Sequence, residues 1–358
     1  MIRMTFKVNT YNNKKPVANK RRKKRKNRVR KTEFRETKAN NEASVRTNSR
    51  IFNIKTWIHV IEDELREMNS KKRGRPYAYC MSMMLWLVYV VGYNRDTTFR
   101  KAAGIAEGIL GSHGIEAPHY STVFRRLRSL WTAVSDSKDG KILSSYVRPK
   151  TGSRKHRIAV DSTGLNLSKT TLWRENKWGT GPKRRGWLKL HAAIDIDSGE
   201  ILAYVLTDDR TGDNTVFISL IKMILSEGYD VNIVFADNAY EAIDNWKFLH
   251  ERKIKFVVKF RSNTIGVSRG CMARGESAQL WIREGEDKWK ELTGYGMRWK
   301  AECAFSDFKR LAAETISATG ALGMAVEVLI KIHAYNLHKR IRADIIGITG
   351  NNIYVAED

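Results

Sequence analysis

The sequence predicts an α/β protein: a mixed sheet flanked by helices, preceded by a helical unit. Three observations carry that reading. Between residues 156 and 260, five short runs rich in Val, Ile and Ala have the length and spacing of strands. The stretches between and after them have helical length and periodicity. Before residue 51 there is almost nothing to bury. There, 18 Lys and Arg stand against three Glu, so more than half of the formal net charge of +27 precedes the first periodic segment.

Taken in order, residues 1–50 are expected to form a disordered basic arm. It suits contact with phosphates without sequence preference, or else it is an unselective solvated tail. A helical unit follows at 51–134. Ile54, Trp57, Ile58, Ile61 and Leu65 fall on one helical face, and KKRGRP then breaks the pattern. The apolar run YAYCMSMMLWLVYVVG (77–92) falls short of the roughly 18–20 residues that span a bilayer, so a buried core helix is expected and no membrane partner. Ser121 is the expected N-cap of a helix over 122–131 that turns Arg125 and Arg128 to one face, with Phe124 and Leu127 turned away. That unit reads either as a helix-turn-helix DNA reader or as an ordinary bundle with a solvated basic face. A linker occupies about 135–155. Strands are expected at 156–163, ending at Asp161, and at 187–197, 200–207, 231–238 and 255–260. Ser198-Gly199 makes a hairpin turn between the second and third. Helices are expected at 214–227, 240–252, about 295–315 and 322–344, and a tail at 346–358.

Composition excludes several classes. With 42% hydrophobic residues and ten Trp, the chain has a core to build and is not disordered as a whole. Cys80, Cys271 and Cys303 are far apart, with no CxxC pair, so neither a disulfide framework nor a zinc site is expected. The first residues lack the apolar region of a secretory signal. The basic balance points to a polyanionic partner, nucleic acid above all, although an RNA-coating protein would share it.

Chemistry enters with three carboxylates. Asp161 and Asp237 each close an apolar strand run, where ligands bind in open sheets. Either one alone is as consistent with a turn or a cap. Further on, Tyr295, Arg298, Glu302 and Lys309 have offsets of 0, 3, 7 and 14. On one continuous helix, at about 100° per residue, they would share a stripe about 60° wide. Such a stripe suits a metal-holding Glu flanked by phosphate-binding cations, or equally a row of surface ion pairs.

The spacing Tyr-x2-Arg-x3-Glu-x6-Lys resembles the signature around the catalytic Glu of insertion-sequence transposases with a DDE triad. DSTGLNL (161–167), RRGWLKLHAAIDIDSGEILAYVLTDDRTGDN (184–214) and FADNAY (235–240) resemble the same family, in order, as do GRPYAY (74–79) and PHYSTVFRRL (118–127) in the helical unit. Within it the chain looks most like the insertion-sequence-five group, because the 65 residues from Asp237 to Glu302 leave no room for a large inserted domain. The resemblance implies a ribonuclease H-like catalytic domain over 156–345. It also implies a triad of Asp161, Asp237 and Glu302 holding two Mg²⁺ (or Mn²⁺) ions per site. In that family hydrolysis frees a 3′-hydroxyl at the element end, which then attacks target DNA. The partners so implied are double-stranded DNA, as terminal inverted repeats and target, with a homodimer joining two ends and no small-molecule substrate. The setting is a prokaryotic cytoplasm, at the nucleoid.

Arg184, Arg185 and Lys189, in and beside a loop that also holds Trp173, Trp178 and Trp187, suit contact with DNA backbone and unstacked bases, or a solvated loop anchored by Trp. With Arg298, Lys309, Tyr295, Arg125 and Arg128 they complete the expected DNA-binding set. His191 reads as a core histidine before a metal ligand. Asp195, Asp197, Asp208, Asp209 and Asp213 are surplus carboxylates; any one of Asp208, Asp209 and Asp213 could support the triad, and the sequence does not choose among them. Competing readings are a non-transposing nuclease on the same fold, a transposase-derived DNA-binding protein without catalysis, and a basic RNA-binding protein.

Overall fold

Strand β1 (His156–Leu167) organises the computed structural model, which describes residues 54–80, 99–126, 154–167, 187–318 and 320–351, with positions 42, 43, 45, 46, 83, 84, 86 and 87. On one side β1 pairs antiparallel with β2 (Trp187–Asp195), which forms a hairpin with β3 (Ile201–Asp208). On the other side it pairs parallel with β4 (Val231–Ala236), which pairs parallel with β5 (Lys255–Val258). The order β3-β2-β1-β4-β5 is that of the ribonuclease H-like sheet which the sequence resemblance implies. The hairpin turn follows the sequence reading: Gly199 takes φ 73°, a conformation that costs Gly little.

β1 runs six residues past Asp161, further than the sequence reading put it. Pairing with β4 stops at Val160–Ala236, but β2 stays in register as far as Asn166–Trp187. A two-residue strand, β6 (Thr315–Ile316), then takes up the far side of β1 at Asn166 and Leu167. Between β4 and β6 the sheet therefore has a notch, and Asp161 stands at its start.

Alternation along β1 feeds two cores. Ala159, Leu165 and Leu167 join Leu190, Ala192 and Phe235 on one face, beneath α6 (Trp299–Ala312) and α7 (Ala321–Asn351). Ile158 and Val160 join Ala193, Val234 and Ala236 on the other, beneath α3 (Asn214–Ser226) and α4 (Ile243–His250). Full burial of a Leu or Phe contributes about 1.5–3 kcal/mol, so these two faces fix the sheet's register. The helix α5 (Met272–Thr293), with a break in its geometry at Gly285, and a 3₁₀ turn at Tyr295–Arg298 fill the interval before α6.

In the helical unit, α1 (Ile54–Asn69) buries Ile61 and packs Ile58 and Leu65 beside it, on the expected face. Met83, Met84, Trp86 and Leu87 of the apolar run are buried in the same cluster, with Ala106 and Leu110 of α2 (Phe99–Gly111). Among the described residues no helix is long and apolar enough to cross a membrane. The helix expected at 122–131 begins at 120. The His119 carbonyl accepts the Thr122 N–H at 2.8 Å, and its Nδ1 lies 2.9 Å from Ser121 Oγ, so His119 takes the capping place expected of Ser121. Among its described residues this helix buries Val123, while Phe124 stays at the rim against Phe99. Most of the arm expected at 1–50, residues 135–153 of the linker expected at 135–155, and residues 352–358 of the tail expected at 346–358 lie outside the described residues, while α7 continues through the first residues of that tail to Asn351.

Candidate active site

The three carboxylates come from three elements that end or begin at the notch. Asp161 is on β1. Asp237 follows the last residue of β4. Glu302 lies in the first turn of α6. The neighbouring backbone orients each Asp: the Ser162 N–H donates to Asp161 Oδ1 at 2.8 Å, and the Ala239 N–H to Asp237 Oδ1 at 2.8 Å. The second bond caps the 3₁₀ turn Asn238–Tyr240, so Asp237 serves local structure while its other oxygen stays available.

Arg298 bridges two of the three. Its Nη1 donates to Asp161 Oδ2 at 3.1 Å and its Nη2 to Glu302 Oε1. Burial opposes its charge, but Tyr295, Asp161 and Glu302 hold the guanidinium above its ordinary value. Burial pushes the Asp161 carboxyl up to about 6. The Ser162 N–H and Arg298 pull it down, while Asp237 and Glu302 raise it further. Three carboxylates thus share one field with one guanidinium. A cluster of hard oxygens with surplus negative charge suits Mg²⁺ or Mn²⁺ by donor chemistry. Among the described residues, no three His, Cys, Asp or Glu side chains close on a single point, and Arg298 is the group standing between Asp161 and Glu302.

The basic set separates. The expected stripe is not one continuous helix, because Tyr295–Arg298 is a 3₁₀ turn and α6 starts at Trp299. Tyr295 is buried against Trp289, ring centroids 5.0 Å apart, and burial pushes its phenol up to about 12. It is a core residue facing Arg298 rather than an exposed DNA contact. Lys309 pairs with Glu314 at 3.3 Å. Lys189 is corrected outright: its ammonium is largely buried, 2.9 Å from Asp213 and 3.3 Å from the Thr211 carbonyl, and so is not offered to a phosphate. Arg125 is exposed, its Nε donating to the Ser121 carbonyl. Arg128, Arg184 and Arg185, with Trp173 and Trp178, lie outside the described residues.

His191 is a core residue, fully buried, with Nε2 2.8 Å from Thr207 Oγ1. Of the surplus carboxylates, Asp208 is spent on its own turn, accepting from the Thr211 N–H and hydroxyl. Asp213 instead turns toward β1 and β2, 3.2 Å from His191 Nδ1. Burial would raise its carboxyl, but Lys189 and Ser162 outweigh that and lower it. Trp187, of the expected loop tryptophans, is exposed with its ring over Gly164, and a second exposed tryptophan, Trp299 beside Arg298, was not singled out by the sequence.

A strand-borne Asp, an Asp closing the parallel neighbour and a helical Glu tied to an Arg, on a 3-2-1-4-5 sheet, define a ribonuclease H-like protein with an acidic site. The family model described as "Transposase DDE domain" matches residues 152–337, more than half of the chain, and the chain belongs to that family. Solved structures resemble it distantly. The piggyBac transposase synaptic complex with hairpin DNA aligns at TM-score 0.45 and 10% identity, over 87% of this chain and 77% of that one. The Drosophila P element transposase strand transfer complex gives 0.31 and 9%, over 84% and 87%. The catalytic core domain of BIV integrase gives 0.21 and 12%, over 44% and 85%. At these scores no residue-level correspondence follows.

Proposed function

We propose that this chain is the transposase of an insertion sequence of the insertion-sequence-five group, cutting at element ends and joining them to target DNA. The observation that supports it most is that Asp161 lies within the electrostatic reach of Asp237, Glu302 and Arg298 at the sheet notch, in a chain of the transposase DDE domain family. Asp161, Asp237 and Glu302 are the residues that would hold two divalent ions. Such ions, when bound, activate an attacking oxygen and stabilise a leaving one. The chain itself supplies oxygen donors fixed by backbone N–H groups. It also supplies Arg298, a guanidinium suited to a phosphate once its carboxylate partners are engaged elsewhere. Contact with the DNA backbone falls to Arg125, Arg128, Arg184, Arg185 and Lys309, and the basic arm adds charge without sequence preference. Two subunits act together, because joining needs two ends. The protein works at the nucleoid of a prokaryotic cell.

The test is a labelled duplex ending at the element boundary, incubated with Mg²⁺. Wild type nicks the boundary and then joins strands, and Glu302→Ala abolishes both. Binding without cleavage, unchanged by that substitution, would overturn the reading and leave a DNA-binding protein. Gel filtration with end DNA checks the dimer, and a single subunit on each end under active conditions would refute it.

A further inference from the structure

Past β5 the chain makes a loop that the candidate triad does not use. β4 and β5 run parallel and pair Ala236 with Val258, so the residues that follow them, Asp237 and Lys259, leave the sheet side by side. The loop at 261–271 then carries Ile265 and Val267, both more than half exposed. It lies along one face of α5. A Cβ at Gly275 would come within 3.0 Å of the Ser268 backbone, and one at Gly266 would stand 3.0 Å from the Gln279 side chain and 3.4 Å from the tip of Ile282. Ile282 is itself more than half exposed. Ile265 and Val267 flank Gly266, and Ile282 stands against it, so three aliphatic side chains face water at one place. A single exposed aliphatic residue is ordinary on a protein surface, whereas a group of them marks a contact.

The loop is held from beneath. Arg274, almost fully buried, donates its Nη1 to the Val267 carbonyl at 2.7 Å and its Nε to Glu241 at 2.8 Å. Glu241 follows directly on the 3₁₀ turn that Asp237 caps, so one guanidinium ties the loop to that turn. Within the loop, the Val267 N–H bonds the Ile265 carbonyl at 2.8 Å and the Cys271 N–H bonds the Ser268 carbonyl at 2.9 Å. Aliphatic side chains fixed in water gain this chain nothing by themselves; they suit a partner that covers them. Charge says which partner. Residues 252–275 hold seven Lys and Arg and no Asp or Glu. Arg261 and Arg269 are exposed and, among the described residues, in no ion pair. A second copy in a two-fold contact would bring the same cations against them. A DNA duplex offers phosphates to the cations and stacked bases to the aliphatic pair. We propose that Ile265 and Val267 form a wedge that enters between two base pairs of DNA held at the notch and unstacks that step, with Arg261 and Arg269 on the flanking phosphates. The inference rests on DNA being the partner, as proposed above.

The experiment uses the full chain and the duplex ending at the element boundary, made as a set in which a fluorescent base analogue that brightens on unstacking is moved one position at a time. Wild type is expected to brighten one step. Ile265→Ser combined with Val267→Ser is expected to leave that step dark and to bind about tenfold more weakly, with the salt dependence of binding unchanged. Ile265→Leu combined with Val267→Ile keeps the tip apolar and is expected to keep the signal. Arg261→Ala combined with Arg269→Ala is expected instead to lower the salt slope by about two. All four side chains are exposed, so thermal unfolding of each variant should match wild type. Binding that brightens no step, or brightens the same step in the Ser variant, overturns the wedge and leaves the proposed function standing. A signal lost equally in the Leu and Ile variant also overturns it, since an apolar tip would then not suffice. So does gel filtration without DNA that shows wild type as a dimer and the Ser variant as a monomer, because the three aliphatic side chains would then be a contact between subunits. If wild type does not bind the duplex at all, the proposed function falls, and the wedge with it.

Discussion

Asp161→Asn should make the metal-free protein more stable at neutral pH, although it removes a residue proposed for catalysis. Burial raises the Asp161 carboxyl from an ordinary 3.8 to about 6. A native value above the unfolded one means that the folded chain binds the proton more tightly. Asp161 therefore costs stability as pH rises from about 4 through 6, and the full cost persists above that. Each pKa unit is worth 1.36 kcal/mol, so ionising Asp161 in the folded chain costs about 3 kcal/mol, an upper figure since the side chain keeps some access to water. Asn keeps an oxygen for the Ser162 N–H and carries no charge to desolvate, while Arg298 retains Glu302. In chelator at pH 8, Asp161→Asn is expected to unfold up to roughly 6–12 °C above wild type, taking about 2–4 °C per kcal/mol for a domain of this size. At pH 4 the two should coincide. The assay is thermal unfolding by circular dichroism from pH 4 to 8. A variant less stable than wild type at pH 8, or a gap that does not change with pH, would refute the reasoning.

Two further outcomes follow from positions outside the triad. A Cβ at Gly164 would lie 2.1 Å from the Trp187 ring, so Gly164→Ala must expel that ring and should cost about 1–3 kcal/mol. Most of that cost should vanish in the Trp187→Ala background, and additive losses in urea unfolding would place the clash elsewhere. Burial holds His338 down to about 4, so the unfolded chain binds a proton that the folded one refuses. Stability should fall by up to about 3 kcal/mol from this group as pH drops from 6.5 to 4. His338→Gln should flatten that limb of the profile, and an unchanged limb would exclude the histidine as its source.

Much of the fold was legible because strands and carboxylates leave local signals. The apolar runs ending at Asp161 and Asp237 and the Arg298–Glu302 spacing can be read directly from the chain. What stayed hidden depends on distant partners. β6 is two residues long and exists only because β1 has a free edge at Asn166 and Leu167. α5 escaped notice because Trp289 is its one large residue buried in full, among few buried positions, and Gly285 interrupts it. The Tyr295–Arg298 segment keeps the family spacing yet leaves the α-helix, since burying Tyr295 against Trp289 governs its path. Lys189 reads as a surface cation by type. Only the approach of Asp213, 24 positions later in the chain, shows that it is paired. The same approach separates Asp213 from Asp208 and Asp209, which spacing alone treats as equals.

One helix serves two masters. α7 sends Met324, Val328, Ile332 and Tyr335 into the core beneath the sheet, and Val326, Leu329, Ile330 and Ala334 into the cluster built on α1 and the apolar run. The portion resembling a DNA reader is therefore soldered to the transposase DDE domain, not tethered by a string. Excising residues 152–337 as a free-standing enzyme would strip oil-like surface off α7 and invite clumping.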